Sequence, residues 1–180
     1  MALQSLVIAR KRGDPWAEAR SLYYLGPTLA ARGSKEADIF LRRGLRVLSV
    51  QENTEAEGVG NAYMAQLALW KVDYAATFQL ANRAWELASV RRGERDFIRA
   101  ARLQGTASLG LNDMAKADER LHHALTRARA VNLVEEELPA LIALAELRRR
   151  QSDSGAAREF LDDVWESAER GPYPLFHADA

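Results

Sequence analysis

The stretch NDMAKADERLHHALTRA, residues 112–128, decides the fold. Ala117, Leu121, Ala124, Leu125 and Ala128 recur at helical steps of three and four, so they share one side of an α-helix. Asp113, just ahead, is a residue type that caps a helix start. Forty residues upstream stands VDYAATFQLANRAWELA, and forty further up RGSKEADIFLRRGLRVL. Forty residues downstream stands SDSGAAREFLDDVWESA. The columns align without a gap: Ala37, Thr77, Ala117, Ala157; Leu41, Ala81, Leu121, Leu161; Gly44, Ala84, Ala124, Val164. Leu45, Trp85, Leu125, Trp165 and then Leu48, Ala88, Ala128, Ala168 follow, with Gly33, Asp73, Asp113 and Asp153 at the upstream turn. A fixed period of this length marks stacked supersecondary units instead of one globular core.

Each repeat reads as helix A, a short turn and helix B, over residues 14–53, 54–93, 94–133 and 134–172. Asp14-Pro15 opens the first helix A, with Asp as cap and Pro where no amide is needed. Leu22, Leu25 and Leu29 form its apolar face; helix B then runs from about Lys35 to Val50. Thr54 and Glu57 have the spacing of a capping box, and Gly58 and Gly60 weaken the turns that follow. The third repeat begins near Arg95. The fourth begins near Glu135 to Glu137, with Pro139 in its first turn or so. Partial helices are expected at 1–12, where Ile8 falls in the column of Leu48, and at 174–180, where His177 falls in the column of Glu57, Phe97 and Glu137. Helices cut in this way imply a piece of a longer array, with apolar ends through which chains self-associate.

Composition narrows the function. The 180 residues hold 25 Lys and Arg against 25 Asp and Glu, so neither a nucleic acid nor a membrane surface is the expected partner. No Cys is present, which excludes disulfides and thiolate metal sites. No run reaches the ~20 apolar residues that cross a bilayer, and the Met1 to Ile8 stretch lacks the form of a signal peptide. The expected location is the cytoplasm.

No segment reads GxxxxGK followed by Ser or Thr, or GxGxxG, and no Ser sits in a nucleophile elbow. Asp118 with His122 and Glu119 with His123 have the i, i+4 spacing of metal ligands, but two ligands make a poor site, and solvated helix-face positions are the expectation. The carboxylates of Asp162-Asp163 and Glu135-Glu136-Glu137 read as solvated, as do the basic clusters Arg91-Arg92, Arg95 and Arg148-Arg149-Arg150. Trp16, Trp85 and Trp165 read as structural, the last two through their shared column. No catalytic, cofactor or metal site is expected, and the chain is not expected to be an enzyme.

The columns resemble those of tetratricopeptide repeats: a small residue in helix A, a turn, then small, bulky and small residues along helix B. The third repeat matches best, with Gly105, Asn112-Asp113, Ala117, Leu121 and Ala124. The first carries Leu25-Gly26 one residue short of register, and the second departs at Thr77 and Ala81. The usual period is 34 residues, and this longer form is similar to the repeat arms of MalT-like transcriptional activators and related bacterial signal-transduction ATPases. The resemblance implies an all-α, tetratricopeptide-like α-solenoid of antiparallel helix pairs in a right-handed superhelix. It also implies a concave face built from A helices, which carries Arg20, Tyr23, Gln66, Trp70, Arg99, Arg102, Thr106, Glu146, Arg149 and Arg150. Arg grips carboxylates and aromatic rings add apolar area, so the expected partner is a protein or peptide bearing acidic groups. The expected function is a protein-interaction or sensor scaffold of a bacterial regulatory or signalling protein. The alternative is a small-molecule or peptide receptor module of a transcriptional regulator.

Overall fold

The computed structural model describes residues 2–31, 36–49, 54–91 and 93–169. Among them are nine α-helices and no strand: α1 (Ala2–Arg12), α2 (Pro15–Ala31), α3 (Ala37–Ser49), α4 (Thr54–Trp70), α5 (Tyr74–Arg91), α6 (Glu94–Gly110), α7 (Met114–Ala130), α8 (Val134–Arg150) and α9 (Ser154–Glu169). No helix is long and apolar enough to cross a membrane among the described residues. The expected helix at 174–180, the turn at Gly33, the Thr54 cap and the side chains of Trp16 and Tyr23 lie outside the described residues.

The 40-residue period divides into equal halves. Helices α4 to α9 start at residues 54, 74, 94, 114, 134 and 154, so the A and B helices have nearly the same length. At the described turns the chain reverses by one device. Val72, Asn112, Asn132 and Ser152 take left-handed backbone, with φ between 54° and 65°. The next amide returns to a carbonyl five residues back, as Asp73 N–H does to Ala68 at 3.0 Å and Asp113 N–H to Ser108 at 2.9 Å. Gly13 and Asp14 make the same turn between α1 and α2. Asp14, Asp73, Asp113 and Asp153 then cap the next helix, each carboxylate accepting the amide three residues on at 3.0 to 3.1 Å. Leu133 stands at the fifth such turn without a side-chain cap. Helix α8 therefore begins ahead of Glu135, and Pro139 falls deeper than its first turn.

Val72 is the costly member of this set, because a β-branched residue clashes with its own backbone at positive φ. Its side chain is 64% exposed and offsets little of that strain by packing. Val72→Asn is expected to raise stability by about 1 kcal/mol in urea unfolding, since Asn tolerates this conformation. An unchanged or lower stability would show that the turn is not strained there.

The chain divides into two compact units, Met1–Asp96 and Phe97–Ala180. Within the N-terminal unit, α1 to α5 pack in consecutive pairs, and the A helices α2 and α4 also touch. Ala37, Leu41, Met64 and Leu67 form its larger core cluster, while Leu6 of α1 packs with Leu22 and Leu25. Within the C-terminal unit, α7 packs on α8 and α8 on α9 around Leu121, Leu138, Leu141, Leu144 and Val164. The small-residue column is buried throughout: Ala37, Thr77, Ala117 and Ala157. Thr77 fits there because its hydroxyl donates to the Asp73 carbonyl at 2.7 Å.

The glycines of helix A admit the bulky residue of helix B. A Cβ on Gly105 would stand 2.6 Å from Leu121 Cγ, and one on Gly26 would collide with Leu41. The first repeat, one residue short, thus reaches the same contact as the third. Gly58 instead lies against Leu87, where a Cβ would stand 3.2 Å away, so it serves close packing. Trp165 is half-exposed although it shares a column with Trp85, and both have partners within the protein.

Candidate functional site

The residues expected on one concave face stand in several separate settings. In the N-terminal unit, Arg20 is exposed on α2, Gln66 is half-buried on α4 and Trp70 is half-exposed at the end of α4. Tyr23 belongs to α2, and its side chain lies outside the described residues. Arg20 and Gln66 each have interactions within the protein.

In the C-terminal unit, Arg99 and Arg102 turn onto one carboxylate. Arg99 Nε donates to Glu136 Oε1 at 2.6 Å and Arg102 Nε to Glu136 Oε2 at 2.7 Å. Glu136 is 3% exposed and Arg102 7%. Burial pushes the Glu136 carboxyl up, but the charges and hydrogen bonds of Arg102 and Arg99 overcome it and hold the group below its ordinary value. These arginines tie the A helix α6 to the A helix α8, and Thr106 bonds back to the Arg102 carbonyl at 2.9 Å. Every residue of α6 from Ala100 to Leu109 except Thr106 is buried. Arg102 therefore does not present the solvated cation expected of it. Breaking its pair to bind another carboxylate would leave the buried Glu136 with Arg99 and without Arg102.

The second cluster closes the other end of the same helix pair. Glu146 accepts Arg149 Nε at 2.6 Å, Arg149 Nη2 at 2.8 Å and Arg150 Nε at 2.7 Å. Hydrogen bonds from Arg149 and Arg150 pull its carboxyl down to about 2. Arg150 Nη1 also donates to the Leu109 carbonyl at 2.9 Å, satisfying an acceptor in the last turn of α6. Arg149 is exposed.

Glu136, read from sequence as a solvated acid, is the residue this network turns on. The two histidines also differ from solvated helix-face residues. His123 meets Phe97 edge-on at 5.5 Å, and His122 Nε2 lies 3.2 Å from Arg148 Nη2, which also holds Asp118 at 2.6 Å. No group of three potential metal ligands occurs among the described residues.

A groove in the N-terminal unit has a different character. It has a volume of 660 Å³, with α4 at its base and the B helices α3 and α5 as walls. Arg42 and Arg46 come from α3, Arg83 from α5 and Glu57 from α4, over Leu45, Met64 and Leu80. Its ion pairs lie at the surface. Arg42 Nε donates to Asp38 at 2.6 Å, and Arg83 donates to Glu57 through Nε at 3.1 Å and Nη2 at 2.9 Å. The hydrogen bond from Arg42, against partial burial and with help from Lys71, keeps the Asp38 carboxyl below its ordinary range. Arg42 is 64% and Arg83 49% exposed, so each pair is of the solvated kind that contributes about 0–1 kcal/mol. Such pairs exchange partners readily, whereas the Glu136 cluster does not. The arginines of the groove escape sequence reading because they occupy outward positions of the B helices, where no periodic column marks them.

Comparison with protein-family models and with curated proteins finds no match to this chain.

Proposed function

We propose that this chain is a protein-interaction or sensor module of a bacterial regulatory or signalling protein, built on tetratricopeptide-like repeats and working in the cytoplasm. The groove walled by α3 and α5 carries the reading. It pairs an apolar base with exchangeable cations on a scaffold of packed helices, an arrangement suited to holding a segment of another protein. Arg20 and Trp70 in the N-terminal unit, and Arg149 and Arg150 in the C-terminal unit, are exposed positions of the A helices, and each set is a further candidate contact within its own unit. Leu3, Val7 and Ile8 are exposed on α1 beside the buried Leu6 and Ala9, a face through which repeats could stack on another chain.

Photo-crosslinking from position 79, exposed on the groove wall, tests the reading. In cells making the whole natural protein, one discrete protein adduct is expected, and it should vanish with Arg42→Glu and Arg83→Glu together. The absence of any protein adduct would refute a protein-binding groove. The groove volume also lies within the ~300–1,000 Å³ range of small-ligand pockets, which supports the receptor alternative. A thermal upshift with a specific small molecule and no adduct would establish that alternative.

A further inference from the structure

We infer that the groove between α3 and α5 takes an acidic peptide segment carrying an apolar anchor residue. The inference rests on the interaction-module reading above. It places the partner against the B helices, away from the A-helix face to which the repeat resemblance points. Charge decides the sign of the partner. Among the described residues the lining holds three guanidiniums, Arg42, Arg46 and Arg83, against the carboxylate of Glu57, while Asp38 and Glu86 pair with Arg42 and Arg83 from outside it.

The ion pairs decide the mechanism. Asp38 on Arg42 and Glu57 on Arg83 are side chains of the protein itself, 27% and 26% exposed, and Asp38 keeps Lys71 at 3.3 Å when Arg42 turns away. An incoming carboxylate replaces them like for like, giving each guanidinium a new partner while Asp38 or Glu57 returns to water. No charge is left buried alone in that exchange, so the cost of desolvation stays low. A basic peptide would meet three like charges instead.

The base decides what accompanies the acid. Met64 is buried and Leu45 and Leu80 are partly buried, so a large apolar side chain entering between the walls covers surface that is already largely dry. Gln79 is exposed on the α5 wall and can hydrogen-bond to a peptide backbone. No aromatic residue is among the described residues that line the groove, so these offer no stacking platform of the kind single-stranded nucleic acid uses.

Selection from a display library of random dodecapeptides on the intact chain tests the proposal. Enriched peptides are expected to hold at least two Asp or Glu and a large apolar residue, and to bind more weakly as salt rises. Arg42→Gln with Arg83→Gln should lower their affinity about tenfold or more. Gln79→Glu, which removes no arginine and sets a carboxylate one turn from Arg83 in competition with the peptide's acid, should lower it in the same direction and serves if the double variant fails to fold. Peptides that bind but ignore these changes, and weaken with Arg20→Gln or Arg149→Gln, would overturn the groove and leave the interaction module standing on its A-helix face. Enrichment of basic or purely apolar sequences would overturn the proposal, as would no enrichment. Tighter binding of an oligothymidine probe through Arg42 and Arg83 would reassign the groove to nucleic acid.

Discussion

Glu136→Ala is expected to destabilise the protein by about 3–5 kcal/mol, the usual cost of removing one partner from a buried ion cluster. Arg102 would remain almost wholly buried without the carboxylate it now shares with Arg99, which is itself only 18% exposed. The measurement is urea unfolding with a probe in the C-terminal unit. A loss below about 1 kcal/mol would show that the cluster behaves like a solvated surface pair. The pH dependence has a definite sign. The Glu136 carboxyl lies below its ordinary value in the folded protein, so its contribution is complete above the unfolded carboxylate value of about 4.3. That contribution disappears as pH falls through the folded value. Glu136→Gln should remove this part of the acid sensitivity and leave the remainder.

Leu121→Ala should cost a comparable amount, about 3–5 kcal/mol, because Leu121 is fully buried in the core of the C-terminal unit. Its neighbour makes the site diagnostic. Gly105→Ala in the native background forces a methyl to within 2.6 Å of Leu121 Cγ and 3.0 Å of its backbone nitrogen. The overpacking costs about 1–3 kcal/mol, offset by ~1 kcal/mol of improved helix propensity. In the Leu121→Ala background the side-chain collision is gone, while the backbone contact remains. The double variant should therefore be more stable than the sum of the single changes by about 1 kcal/mol or more. Strict additivity would mean that Gly105 and Leu121 are not in contact, and that the small residue of helix A has another purpose.

Most of the fold was legible in the sequence because it depends on local spacing. The column of Ala37, Thr77, Ala117 and Ala157 is buried in every repeat, and the Asp residues of the turns do cap the helices that follow. Legibility ends where a residue's state depends on a partner far along the chain. Arg99 and Arg102 look like solvated cations until Glu136, 37 and 34 residues away, is brought against them. Glu136 in turn looks like an acid placed for the helix dipole, and nothing in its own neighbourhood announces a buried pair. Turn chemistry fails at Val72 for a related reason. The equal helix lengths require a left-handed residue at that position, and its side chain gives no sign of it. The groove was missed because the walls facing it belong to the polar side of α3 and α5, which a core pattern leaves blank.

Packing between consecutive helices has a consequence for how the protein acquires its structure. In each unit, contacts join helices that are neighbours or next neighbours along the chain, as α2 with α3 and α4, or α7 with α8. No distant strand has to be captured and no long loop closed before contacts begin to reward the chain. Folding can then start at any helix pair and spread outward, with a low barrier for a protein of this length. Within the N-terminal unit, opening is expected to begin at α1, which packs on α2. Amide hydrogens of α1 should exchange with solvent well before those of α4 and α5, and a defect in one repeat should soften its neighbours first.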